Sequence, residues 1–162
     1  VPERPATAGR GRDAALLLAW LAVVALAAAS GILTPPGEWY AGLAKPPLTP
    51  PDWLFPVAWT VLYVMMAVSA WLVSRRVMLP DGLTVLLPFI AQLGANGLWS
   101  VIFFGWHRPV TALLDLAVLW LLIALCIARF HRVSRPAAWL LAPYLAWVSF
   151  AVYLNTGVIR LN

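Results

Sequence analysis

Three stripes of side chains carry the chemistry open to this chain. Trp59, Tyr63 and Met66 follow an i, i+4, i+7 spacing; Gln92, Asn96, Trp99 and Phe103 form a second stripe, and Tyr144, Trp147, Ala151 and Leu154 a third. Each sets aromatic rings on one helical face, and the second adds two carboxamides. Asp115 is the one carboxylic acid well inside an apolar stretch. No serine or cysteine has a base within a helical turn, and no His, Cys, Asp and Glu group has metal-ligand spacing. His107 and His131 fall on opposite sides of the membrane derived below. Acid–base and metal catalysis find little support in these residues; no metal and no cofactor is expected.

The elements that position the stripes follow from composition. With 63% apolar residues, 10% charged residues and a mean hydropathy of +0.86, the chain has far more apolar surface than 162 residues can hide from water. Its solvent is mostly lipid. Stretches of about 20 apolar residues, enough to cross roughly 30 Å of hydrocarbon, recur five times. They run from Ala14 to Leu33, Trp53 to Ser74, Leu83 to Phe104, Val110 to Ala128 and Ala137 to Ile159. A β-barrel is excluded, because the runs are continuous and lack period-2 alternation. The first run follows Arg10 and Arg12 and ends in AAASG, as a cleavable signal would. It exceeds a usual signal core, however, and four spans follow, so a retained helix is the expectation. The fold class is therefore an all-α integral membrane bundle of five helices: residues 1–13 form a cytoplasmic extension and 14–162 the membrane domain. No internal repeat is visible.

Carboxamides and a carboxylate are costly in lipid, so Gln92, Asn96 and Asp115 should face the bundle interior. Trp59, Trp99 and Trp147 fall within spans beside them. Trp39, Trp53, Trp106 and Trp139 lie at span ends, where an interfacial belt also accounts for them. Eight basic residues, Arg4, Arg10, Arg12, Arg75, Arg76, Arg129, Arg132 and Arg135, fall on one side of the bilayer; Lys45, Arg108 and Arg160 fall on the other. The positive-inside rule makes the N-terminus cytoplasmic. The basic pI of about 10.2 then reports topology and contact with anionic headgroups, and no nucleic-acid partner is expected. Cys126, the single cysteine, lies inside the fourth span and reads as packing.

Most connections are short. The exception is the segment of about 34–52, which holds Trp39, Tyr40 and then Pro46, Pro47, Pro50 and Pro51. Each proline fixes φ and pushes its predecessor to extended backbone, so this loop is a shaped cover and not a floppy linker. On the third span Ala91 and Ala95 form a small-xxx-small pair, and Gly94 and Gly97 permit close helix approach.

WYAGLAKPPLTPPDWLFPVAWTVLY, AQLGANGLWSVIFFG, TALLDL and PYLAWVSFAVYLNTGVIRLN, in that order over about 31–162, resemble successive signatures of the translocator protein family, also called tryptophan-rich sensory proteins. The resemblance implies a five-helix bundle enclosing a pocket beneath the first loop. It implies binding of porphyrins such as protoporphyrin IX and of synthetic flat ligands, with sterols in animal members. By position, Trp59, Tyr63, Asn96, Trp99, Trp147, Ala151 and Leu154 match pocket positions, with Gln92, Phe103, Asp115 and Tyr144 nearby. The proline-rich segment is similar to the family's pocket lid. Large flat π-ligands suit such a pocket, since indole stacking supplies contact area while one or two amides fix orientation.

The family resemblance also implies a bacterial-type member in the cell membrane and a homodimer, here through the third span. Three activities compete: a porphyrin-binding sensor or receptor, a light- and oxygen-dependent porphyrin-degrading enzyme acting through Trp59 and Trp147, and a transporter. The transporter reading wants several buried charges along a path, and Asp115 stands alone. Departures from the family pattern are Leu48, where an aromatic is usual, and Thr111, where animal members carry tryptophan. Thr156 also breaks the sterol motif, and Tyr153 lies too far from Arg160 to restore it.

Overall fold

A computed structural model describes residues 6–77 and 81–162, with the backbone alone at 6–10 and 81. Arg4, the Arg10 side chain, the first five residues of the expected extension and part of the loop after the second span lie outside the described residues.

Five helices are long and apolar enough to span a membrane. They are α1 (Ala6–Leu33), α3 (Leu54–Ser74), α4 (Asp81–Ser100), α5 (Pro109–Val133) and α6 (Arg135–Leu161), with a short α2 (Glu38–Gly42) between the first two. A π-helical turn, Val101–Gly105, continues α4, closed by the Trp106 amide donating to the Val101 carbonyl at 2.8 Å. The chain is thus a five-span membrane bundle. The fourth and fifth spans run longer than their apolar cores, leaving Ser134 alone between α5 and α6. Residues 129–132 carry three charged or ionisable side chains but no helix breaker, and Pro136 sits in the first turn of α6, where its missing N–H is tolerated.

Around the bundle α1 packs on α3, α3 on α6, α6 on α5, α5 on α4 and α4 back on α1. Lipid tails are as apolar as leucine, so close packing and interhelical hydrogen bonds, more than apolar burial, hold such helices together. Small residues supply the close packing. Ala67 and Ala70 on α3 and Ala137 and Ala138 on α6 are buried, and the Ser69 hydroxyl donates to the Ala137 carbonyl at 2.7 Å. Phe89 stacks on Phe130 at 5.8 Å and meets the edge of Trp20 at 5.5 Å.

Polar staples fasten α1, whose apolar window is only 6% buried. Trp20 Nε1 donates to Ser74 Oγ (2.9 Å), Trp71 Nε1 to the Asp13 carbonyl (3.0 Å), and Arg75 pairs with Asp13 at 3.0 Å while lying over the Trp71 ring. At its other end the Thr34 and Ser100 hydroxyls share a 2.8 Å hydrogen bond. Inside α4, Pro88 has no N–H to offer the Thr84 carbonyl. Arg129 of α5 donates to that oxygen.

Candidate functional site

The three stripes converge. From α3 the Tyr63 hydroxyl donates to Asn96 Oδ1 on α4 at 2.6 Å; Asn96 Nδ2 donates to the Tyr144 hydroxyl on α6 at 3.0 Å. Tyr144 in turn donates to Gln92 Oε1 at 2.9 Å, and Gln92 Nε2 reaches Met66 Sδ at 3.8 Å. Gln92, Asn96 and Tyr144 are all buried, so this network lies where water cannot repair it. Trp59 lies against it, 5.4 Å from the Tyr63 ring and 6.1 Å from that of Tyr144.

A second polar link ties α4 to α6 nearer the long loop. Trp99 Nε1 faces Asn155 Oδ1 at 3.4 Å, while Asn155 Nδ2 donates to the Pro109 carbonyl at 2.8 Å. Asn155 was missing from the sequence-derived set. Its signal was available: it stands four residues after Ala151, on the same helical face. Trp99 also stacks on the buried Phe103 at 5.2 Å.

The other expected residues occupy the margins of this face. Trp147 meets the rings of Phe55 (6.1 Å) and Phe150 (5.9 Å) and lines a concavity of about 490 Å³ between α3 and α6, walled also by Ala58, Leu62, Met65 and Pro143. Exposed Val61 at its rim shows that it opens on the outside of the bundle. Ala151 packs against the core and Leu154 is half-buried. Asp115 is not drawn into the network; its Oδ2 is buried without a hydrogen-bond partner.

The segment 34–52 covers one end of the bundle and is pinned to α6. Both backbone groups of Ala44 are held by the Asn162 carboxamide, the amide donating to Oδ1 at 3.0 Å and Nδ2 donating to the carbonyl at 3.1 Å. The Tyr153 hydroxyl donates to the Pro47 carbonyl at 2.7 Å. Pro46 is buried against Gly157, where a Cβ would come within 2.5 Å of the proline ring. Within α2, Trp39 stacks on His107 at 4.4 Å and meets the edge of Phe103, and Tyr40 meets Phe103 and Phe104. Burial, and secondarily the Asp52 carboxylate, push the Tyr40 phenol above its ordinary pKa, and Lys45 Nζ lies 4.7 Å over its ring. Pro50 is half-buried, and the Pro51 carbonyl accepts from the Leu54 amide at 2.9 Å, turning the chain into α3.

Leu48 shows the strain of this cover. The Thr49 amide donates to the Pro46 carbonyl, closing a turn in which Leu48 takes φ 67°. That position favours glycine, because a Cβ in left-handed backbone costs about 1–2 kcal/mol. Leu48 is 80% exposed and loses little packing on truncation. Leu48→Gly should therefore stabilise the cover by about 0.5–1 kcal/mol after the added chain entropy of glycine. Slower amide exchange over 43–52 is the expected reading; faster exchange would show that the turn is not strained.

On α4, Ala91 and Gly94 are exposed and a Cβ on Gly94 would meet nothing. Gly97 is occupied within the chain: its Cβ would fall 3.2 Å from Ser30 Oγ of α1.

By sequence, this chain has relatives among known proteins. The model of the TspO/MBR family matches residues 17–161. The tryptophan-rich protein TspO of Chlorobaculum tepidum is 43% identical over 142 residues, 86% of this chain and 90% of that protein. The tryptophan-rich sensory protein of Cereibacter sphaeroides is 41% identical over 93% of each chain. The human translocator protein is 37% identical over 77% of this chain and 75% of its own.

Proposed function

The chain belongs to the TspO/MBR family, and from that premise we propose that it is a membrane sensor that binds porphyrins, protoporphyrin IX among them, and other flat hydrophobic molecules on the tryptophan-bearing faces of α3, α4 and α6. The convergence of Trp59, Tyr63, Asn96, Trp99 and Tyr144 from three helices beneath a pinned cover carries this reading. Flat π-systems match half-buried indoles, and the amides of Gln92 and Asn96 offer orientation. Ring edges now fill the face, so a ligand enters by displacing Trp59 and Trp99, which are half-buried where Tyr144 is fully buried. The N-terminus lies in the cytoplasm by the positive-inside rule, and the third span forms the face of a homodimer through Ala91 and Ala95 with Gly94 beside them, Ala91 and Gly94 being exposed and Ala95 half-buried against the core.

Titrating the reconstituted protein with protoporphyrin IX in darkness, so that bleaching is not mistaken for quenching, should quench tryptophan fluorescence with low-micromolar affinity, about −8 kcal/mol. Trp59→Phe combined with Trp147→Phe should weaken binding about tenfold, the worth of two lost indole contacts. Unchanged affinity in the double variant would place the ligand elsewhere.

A further inference from the structure

We propose that the arginine-rich end of the bundle holds a site for the headgroup of an anionic phospholipid, built by Arg76, Arg132 and Arg135 around the junction of α5 and α6. Arg76 donates from Nη1 to the Val133 carbonyl at 3.1 Å, which fixes the end of α3 against the residue between Arg132 and Ser134. Arg132 and Arg135 are exposed and make no hydrogen bond or ion pair among the described residues. Arg76 is thus held at the backbone junction that Arg132 and Arg135 flank. Asp13 supplies the carboxylate among the described side chains at this end, and it pairs with Arg75. Like charges held together repel unless an anion joins them, and a phosphodiester accepts the paired N–H groups of guanidinium in bidentate fashion.

Two further features point to the same occupant. Helix α6 begins at this corner without a side-chain cap, and Ser134 at the capping position is 1% exposed with its hydroxyl unpartnered. The positive end of the α6 dipole therefore has no side-chain cap. One turn inward from Arg135, on the same face, Trp139 is 71% exposed. An indole at that depth lies where headgroup meets acyl chain. The occupant that satisfies both carries an anionic head and an apolar tail, whereas soluble phosphate satisfies the first alone. At the opposite end Lys45 lies over the Tyr40 ring, and no hydrogen bond among the described residues ties Arg108 to Arg160.

The test uses the full chain in nanodiscs of phosphatidylcholine doped with phosphatidylglycerol, with retained lipid read by native mass spectrometry after extraction. Wild type should retain phosphatidylglycerol preferentially, and that lipid should raise its Tm. Arg132→Gln with Arg135→Gln should lower retention about 25-fold, two arginine contacts of about fivefold each, and abolish the rise in Tm. Arg108→Gln with Arg160→Gln should change neither. Equal losses in both double variants would show diffuse attraction and overturn the site, as would full retention in the first. Inorganic phosphate that displaces the lipid completely at millimolar concentration would reassign the corner to a soluble anion.

Discussion

Gly157→Ala is expected to push the cover off the bundle. The added Cβ would lie 2.5 and 2.6 Å from Cβ and Cγ of Pro46 and 3.3 Å from its Cδ. A pyrrolidine ring cannot rotate aside as a leucine would, so the backbone around Pro46 must move. With it goes the register of the Tyr153 hydrogen bond to Pro47 and of the Asn162 clasp on Ala44. Overpacking costs about 1–3 kcal/mol and each lost hydrogen bond about 1 kcal/mol, against a gain of about 1 kcal/mol from alanine's helix propensity. The steric term wins, and a net loss of about 3–5 kcal/mol follows. Amide exchange over 38–52 should rise by two orders of magnitude or more. Gly94→Ala makes the same chemical change in a span where a Cβ meets nothing, and it should leave that exchange unaltered. Equal protection in both variants would refute the contact between Pro46 and Gly157 as the anchor.

Asn96→Leu should produce the second large effect. Leucine fills about the same volume but removes the acceptor of the Tyr63 hydroxyl and the donor to Tyr144, which is fully buried. Interhelical hydrogen bonds in membranes are worth only about 0.6–2 kcal/mol each, because the unfolded chain in lipid also finds partners. An orphaned buried hydroxyl costs about 1–3 kcal/mol beyond that comparison. Two bonds lost, with the Tyr63 hydroxyl left without its acceptor while Tyr144 keeps Gln92, therefore amount to about 3 kcal/mol. Refolding midpoints in mixed micelles should fall accordingly, whereas Tyr63→Phe, which removes a single bond at the half-buried end of the chain, should cost about 1 kcal/mol. Equal losses for the two variants would mean that the hydrogen bond from Asn96 to Tyr144 contributes nothing. Protoporphyrin quenching should weaken most in the leucine variant.

How much of this was legible beforehand differs by level. The spans could be read because a bilayer demands long apolar runs, and the stripes because i, i+4 spacing fixes which side chains share a face. Helix ends were less legible. Arg129, His131 and Arg132 look like a loop, yet long charged side chains reach the interface while their backbone stays helical. The five residues of α2 are too few to show a period, and nothing in VIFFG marks a π turn. Within the site, the inward faces could be predicted but not the pairing. That Gln92 meets Tyr144 while Asp115 stays apart depends on how α4, α5 and α6 are rotated against one another, which no single helix encodes.

The sequence separations of these contacts impose an order on biogenesis. Helices α5 and α6 are joined through Ser134 alone and share an extensive seam, so they meet as soon as both have left the translocon. The clasp between Ala44 and Asn162 spans 118 positions. It closes after every described helix has been synthesised, and until then Ala44, Pro46 and Pro47 have no α6 to rest against. A nascent chain thus carries the segment 34–52 without its α6 anchors until Asn162 has emerged.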